Sequence, residues 1–176
     1  MELIEALHTR RSSRGFTTAP VPKQTLLEIL DVARYSPSGA NKNNFRFVVT
    51  TKRETMDKLA QVHQFCKWMG TAQAAIALVG DPALSRYWME DCCLAAYSIY
   101  LGALAKGVGC GWSATYTSDD PVEDARRQGL VREALSIPSN LKAAVVLGLG
   151  YAAATPNPRK MCTLDEVVSW EKYGQK

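Results

Sequence analysis

The stretch Trp88-Met89-Glu90-Asp91-Cys92-Cys93-Leu94-Ala95-Ala96-Tyr97-Ser98-Ile99-Tyr100-Leu101-Gly102-Ala103-Leu104-Ala105-Lys106 decides how this chain folds. It contains no proline, so nothing in it breaks a helix. Its apolar residues go most of the way round the helix, more than one solvent-facing helix can bury. A membrane span needs roughly 18 or more unbroken apolar residues, and Ser98 interrupts this run. The stretch therefore predicts a helix at the centre of the fold or at a subunit interface.

Working outward, short apolar runs flank this helix. Ala74 to Val79 reads as a buried strand ended by Gly80-Asp81-Pro82, and Val108 to Ala114 as a glycine-dotted strand. Ala143 to Leu149 is a third buried strand, and Phe45 to Thr51 alternates Phe45, Phe47 and Val49 against Arg46. Helical spacing appears in Glu2 to Thr9 (Leu3, Ile4, Leu7) and from Lys23 onward (Leu26, Leu27, Leu30, Ala33). Glu54 to Gln64 and the charged Pro121 to Leu135 are further helical segments. Pro156 and Pro158 forbid regular structure, and Leu164 to Trp170 forms a terminal segment. Helices and strands alternate too unevenly for a simple parallel α/β fold. The expectation is an α+β fold: a mixed central sheet flanked by helices in three layers, with residues 1–176 forming one domain.

Composition narrows the function. The chain has 176 residues, 47% hydrophobic and 22% charged, with a formal net charge of +4. That suits a globular domain and an anionic ligand, and the charge is too small and scattered to demand nucleic acid. Cysteines stand at 66, 92, 93, 110 and 162, an odd count without C-x-x-C spacing. A disulfide framework or cysteine zinc site is not expected, and reduced thiols point to the cytoplasm. The acidic N-terminus lacks the basic start and apolar run of a signal peptide. No membrane partner is expected.

Three local features carry chemistry. Arg10-Arg11-Ser12-Ser13-Arg14 follows the first helix, where it reads as a solvated turn, a nucleic-acid arm or an anion site. The guanidinium fork suits phosphate, since it makes two charge-assisted hydrogen bonds. Pro37-Ser38-Gly39-Ala40-Asn41-Lys42-Asn43-Asn44 offers hydroxyls, amides and free backbone N–H groups just before a strand, or is an ordinary turn. Pro158-Arg159-Lys160 is a lone basic pair near the C-terminus. Gly148-Leu149-Gly150-Tyr151-Ala152-Ala153 matches G-x-G-x-x-A, but no long helix can follow it to hold a pyrophosphate. Its glycines are expected to let the backbone turn off the sheet.

Together these features resemble the FMN-dependent nitroreductase family over essentially the whole chain. The resemblance rests on Arg10-Arg11-Ser12-Ser13-Arg14-Gly15-Phe16 and on Ala33-Arg34-Tyr35-Ser36-Pro37-Ser38-Gly39-Ala40-Asn41 through Phe47. It continues in Gly107-Val108-Gly109-Cys110-Gly111-Trp112-Ser113-Ala114 and in Gly148-Leu149-Gly150-Tyr151 followed by Arg159. Asn43-Asn44-Phe45 departs from the family's Gln-Pro-Trp, and Ala114 from a common glycine or glutamate.

The resemblance implies an intertwined homodimer with FMN at the subunit interface. Arg10, Arg11, Ser12 and Arg14 would bind the phosphate, ribityl chain and pyrimidine edge, and Arg159 would close on the phosphate. Pro37, Ser38, Gly39, Asn41 and Asn43 would line the flavin from the partner subunit. Ala114 and Thr115 would stand near N5 and O4 with backbone groups. No side chain is implied as catalytic, since the hydride chemistry belongs to the flavin. NADH or NADPH would be the donor, and a small molecule such as a nitroaromatic or quinone the acceptor. The short span before the long helix leaves little room for a helical lid. Alternatives are a flavin-binding carrier or sensor module without efficient turnover, or another flavin reaction such as dehalogenation or flavin breakdown.

Overall fold

The computed structural model describes residues 2–155, 157 and 159–176. The expectation for Pro156 and Pro158 falls outside them. The helices are α1 (Leu3–Thr9), α2 (Lys23–Ala33), α3 (Arg53–Leu59), α4 (Trp88–Ala105), α5 (Pro121–Leu135) and α6 (Leu164–Val167). The strands are β1 (Arg46–Thr50), β2 (Ala74–Gly80), β3 (Gly109–Ala114) and β4 (Lys142–Gly150).

The apolar runs become the middle of the sheet because that is where both faces are covered. Every residue of β2 is buried, as is every residue of β4 after Lys142. The strand order is β1-β2-β4-β3. All three pairings are antiparallel, so the mixed character expected of the sheet is confined to one isolated parallel bridge between Ser12 and Cys110. One face carries Ile76, Leu78, Val145 and Leu147 against α2 and α4. The other carries Ala75, Ala77, Val79 and Val146 with residues of α3, α5 and the turn at Lys67–Thr71. These are the three layers.

The register slips between Leu78, which pairs with Val145, and Val79, which pairs with Ala143. Ala144 is the extra residue of a β-bulge. It and Val145 therefore both join the α4-side core. The Ala144 carbonyl accepts the amides of both Thr115 (3.1 Å) and Tyr116 (3.2 Å), so the bulge fixes where β3 ends.

Several local expectations shift. In α2 Leu26 and Ala33 are buried and Leu30 packs partly buried against the core, as expected, but Ile29 takes the place expected of Leu27, which is 49% exposed. The buried stripe is thus rotated from the expected one, because packing against α4 selects the face. The segment after Glu54 stops being α-helical at Leu59, and the chain re-forms a 3₁₀ turn at Lys67–Thr71. The charged stretch after Pro121 forms one helix. The Asp120 carboxylate caps it by accepting the Val122 and Glu123 amides. Residues 81–87 join β2 to α4 without a helix. No helix among the described residues is long and apolar enough to cross a membrane.

Candidate functional site

Glycines in β3 and β4 make a seat. A Cβ on Gly111 would come within 2.5 Å of the Ser13 carbonyl oxygen and of the Trp68 ring. A Cβ on Gly148 would meet Trp68 and the Met69 sulfur at 2.7 Å. Gly148 and Gly150 both lie within β4. They serve close packing rather than the expected turn off the sheet. The segment after α1 settles into this space. Ser12 bridges to Cys110, and the Ser13 amide donates to the Cys110 carbonyl at 2.9 Å. Further along, Thr17 donates to the Tyr151 carbonyl, and Ala153 donates to that of Gly15.

This threading sets out the basic residues. The Arg10 guanidinium lies 5.0 Å above the Tyr100 ring of α4, a cation–π contact. One Arg11 nitrogen donates to the His8 and Arg10 carbonyls, both at 2.8 Å. Arg14 is exposed. Two clefts of about 480 and 390 Å³ share Ser13 and Thr155. The first is lined by Arg10, Tyr100 and Cys110, the second by Ser12, Arg14 and Asn157. The segments that follow α1 and β4 thus meet here, and the exposed Arg159 lies two residues beyond Asn157. Among the described residues, none of Arg10, Arg11, Arg14 and Arg159 is ion-paired with a carboxylate. Burial pushes the Tyr100 phenol up, with Ser12 and Arg10 beside it pulling the other way. Its hydroxyl has no hydrogen-bond partner of good geometry among the described residues. Cys110 is buried, which drives its thiol far above the ordinary range and marks it as a packed side chain.

The polar loop is held at the other end of α4. Ala40, Asn41 and Asn43 adopt positive φ values of 51°, 54° and 50°. Such strain costs of order 1 kcal/mol at a non-glycine residue and persists only where the surroundings enforce it. The Asn43 amide donates to Ser38 Oγ at 2.8 Å, and the Gly39 amide to Asp91 Oδ1 at 2.7 Å. A Cβ on Gly39 would stand 2.6 Å from the Tyr87 ring. The buried Asn44 side chain exchanges two hydrogen bonds with the Asp81 backbone. Pro37, Asn41 and Asn43 are exposed, and Ser38 and Gly39 are half-buried.

β3 is an edge strand, so half of its backbone groups face outward. The Cys110 carbonyl faces the open edge, where it meets Ser13, and the alternation of an antiparallel ladder puts the Trp112 and Ala114 amides on that edge too. The Thr115 amide is committed to Ala144, and its buried hydroxyl has no partner among the described residues. Behind the strand, Ser113 Oγ lies 3.1 Å from both His63 Nε2 and Cys66 Sγ. Burial, then Arg127, holds the His63 imidazole below its ordinary value.

One chain does not bring all these groups together. Tyr100 and Asp91 are nine residues apart on α4, about 13 Å along its axis. The basic clefts and the polar loop therefore sit at opposite ends of that helix. Sequence reading passed over Tyr100, Asp91 and Trp68. Asp91 carries a usable signal, one of two acids in a mostly apolar helix, but acids are common near helix starts.

Residues 7–64 match the Nitroreductase family. A protein of Methanothermobacter thermautotrophicus with the provisional name NADH dehydrogenase/NAD(P)H nitroreductase is 32% identical over 170 residues, spanning 95% of this chain and 86% of its own. A crystal structure of a like-named Bacteroides thetaiotaomicron protein superposes with a TM-score of 0.85 at 30% identity, covering 98% and 97% of the two chains. An FMN-dependent nitroreductase of Clostridium difficile shares the fold, with a TM-score of 0.88 at 24% identity over 97% and 100% of the chains. Matched in sequence along nearly its whole length, this chain belongs to the nitroreductase family.

Proposed function

We propose that the protein is a homodimeric FMN-dependent oxidoreductase that takes hydride from NADH or NADPH and passes it to a small oxidised acceptor such as a nitroaromatic or quinone. The observation that carries this reading is that Arg10 and Arg14, gathered with Ser12 around clefts near β3, have no carboxylate partner among the described residues. Cations so placed suit a phosphate and the negative charge of a reduced flavin ring. Bound FMN would supply the redox chemistry by accepting and releasing hydride at N5. Arg10, Arg11 and Ser12 would hold its phosphate and ribityl chain, and Arg159 would cover the phosphate. Arg14 would stabilise charge at the pyrimidine edge. Of the pair at the end of β3, Ala114 would offer its free edge amide, and Thr115 would act only by fixing the strand end. Donor and acceptor would use one face in turn, giving ping-pong kinetics. The helix-free connection at 81–87 favours broad acceptor choice.

A second copy completes the site. Leu94 and Tyr97 are 45% and 41% exposed on α4, and they lie midway between Asp91 and Tyr100. A two-fold axis there runs the partner helix antiparallel, so the partner's polar loop reaches this chain's basic cleft. Pro37, Ser38, Gly39, Asn41 and Asn43 would then line the partner's flavin. The C-terminal segment exposes Met161, Leu164, Val167, Trp170 and Tyr173, apolar surface suited to packing on a neighbour.

The test is the visible spectrum of purified protein, with FMN titration and NAD(P)H oxidation. Flavin bands, saturable FMN binding and turnover by a dimer are expected, and Leu94→Arg should give a monomer that binds FMN poorly. Wild-type protein that takes up no FMN overturns the proposal. FMN binding without reduction by either donor favours a carrier module instead.

A further inference from the structure

Asp91 is 2% exposed, on a helix whose Trp88, Cys92 and Ala95 belong to the core. One carboxylate oxygen accepts the Gly39 amide at 2.7 Å, and the other is buried with no partner among the described residues. A buried carboxylate so poorly satisfied is costly, and an apolar residue of similar volume would stabilise the core better. What it holds explains its place. Gly39 is gripped from two sides at the start of α4, its amide by Asp91 in the first turn and its Cα face by the ring of Tyr87, the residue just before the helix. The residues that follow are the left-handed Ala40, Asn41 and Asn43, a conformation a free loop would leave. The grip comes from the helix that also carries Tyr100 beneath Arg10, so one rigid element sets both halves of the site.

We infer that Asp91 is a positioning residue that presets the Ser38–Asn43 loop for the flavin of the neighbouring copy by accepting the Gly39 amide from within the core. This rests on the FMN reading above. Its particular content is that loop geometry, not fold stability, is what the carboxylate serves.

Three full-length proteins test it: wild type, Asp91→Leu and Asp91→Asn. Each is measured for FMN Kd, thermal midpoint and hydrogen exchange of the Gly39 amide without FMN. Asp91→Leu removes the orphaned charge and is expected to keep or raise the midpoint while weakening FMN about tenfold, the effect of losing one charge-assisted hydrogen bond. Its Gly39 amide should exchange faster. Asp91→Asn keeps an acceptor and should recover FMN affinity to within about threefold of wild type. Folded Asp91→Leu with wild-type FMN affinity overturns the inference, as does Asp91→Asn binding no better than Asp91→Leu. If Asp91→Leu does not fold, Asp91→Ala is read in the same way. If wild type binds no FMN, the functional reading fails. Gly39 exchange still decides the inference, and unchanged exchange in Asp91→Leu overturns it.

Discussion

On α5, Arg126 and Arg127 both close on Glu123 at 2.7 Å, whereas Arg10 and Arg14 beside β3 meet no carboxylate among the described residues. The α5 arginines, Arg126 first, hold the Glu123 carboxyl down to about 2. Their two charges share one carboxylate within the helix, and they also donate to backbone carbonyls at Val62 and Ala114. Arg10 and Arg14 flank the point where their segment meets β3 through the backbone, at Ser12 and Ser13 against Cys110. The contrast separates arginines that brace a helix against its neighbours from arginines without a carboxylate partner among the described residues, the ones assigned to FMN in the proposal above.

The strongest way to break that contrast is to remove the seat. Gly111→Val puts a side chain where Ser13 and Trp68 already stand. Overpacking of this kind costs roughly 1–3 kcal/mol, and the segment bearing Arg10 to Arg14 should be displaced with loss of FMN binding. Calorimetry and flavin titration check it, and wild-type values for both would show that the close approach does not matter. The contrast is sharpened by comparing Arg14→Ala with Arg126→Ala. The first should weaken FMN about tenfold and flatten the salt dependence of binding, while the second leaves Kd within about twofold. Equal effects would dissolve the distinction between the two clusters.

The smallest effect concerns His63, which faces the α5 cluster. Its folded-state pKa lies below the ordinary 6.5, because burial and Arg127 disfavour the cation and outweigh Glu123. The unfolded chain therefore binds more protons in that range. The contribution is complete above pH 6.5 and lost as pH falls below it. Between pH 7.5 and 5.5 the melting temperature of wild type should fall more than that of His63→Gln. Parallel curves would show that His63 is not so perturbed.

Much of the candidate site was legible where its chemistry is written in consecutive residues. Arg10 to Arg14 and Pro37 to Asn44 are contiguous, so composition and local turn chemistry expose them. The buried strands at Ala74 and Ala143 were equally plain, because burial on both faces leaves continuous apolar runs. What escaped depends on distant partners. Nothing near Gly111 in sequence announces Trp68. Leu27 and Ile29 are equally apolar, and only contact with α4 chooses between them. Gly148 looked like a turn because a glycine reports that space is needed, without saying for what.

The bulge at Ala144 has a consequence for how this end of the molecule can change. Its carbonyl receives the amides of Thr115 and Tyr116 together, so the spare residue in β4 is the stop that halts β3. Cutting Ala144 itself would restore plain alternation but take that stop away, and cutting any other residue of the strand would turn the side chains beyond the cut to the opposite layer. Diversification here must proceed by exchanging side chains, since the length of the strand is already spoken for.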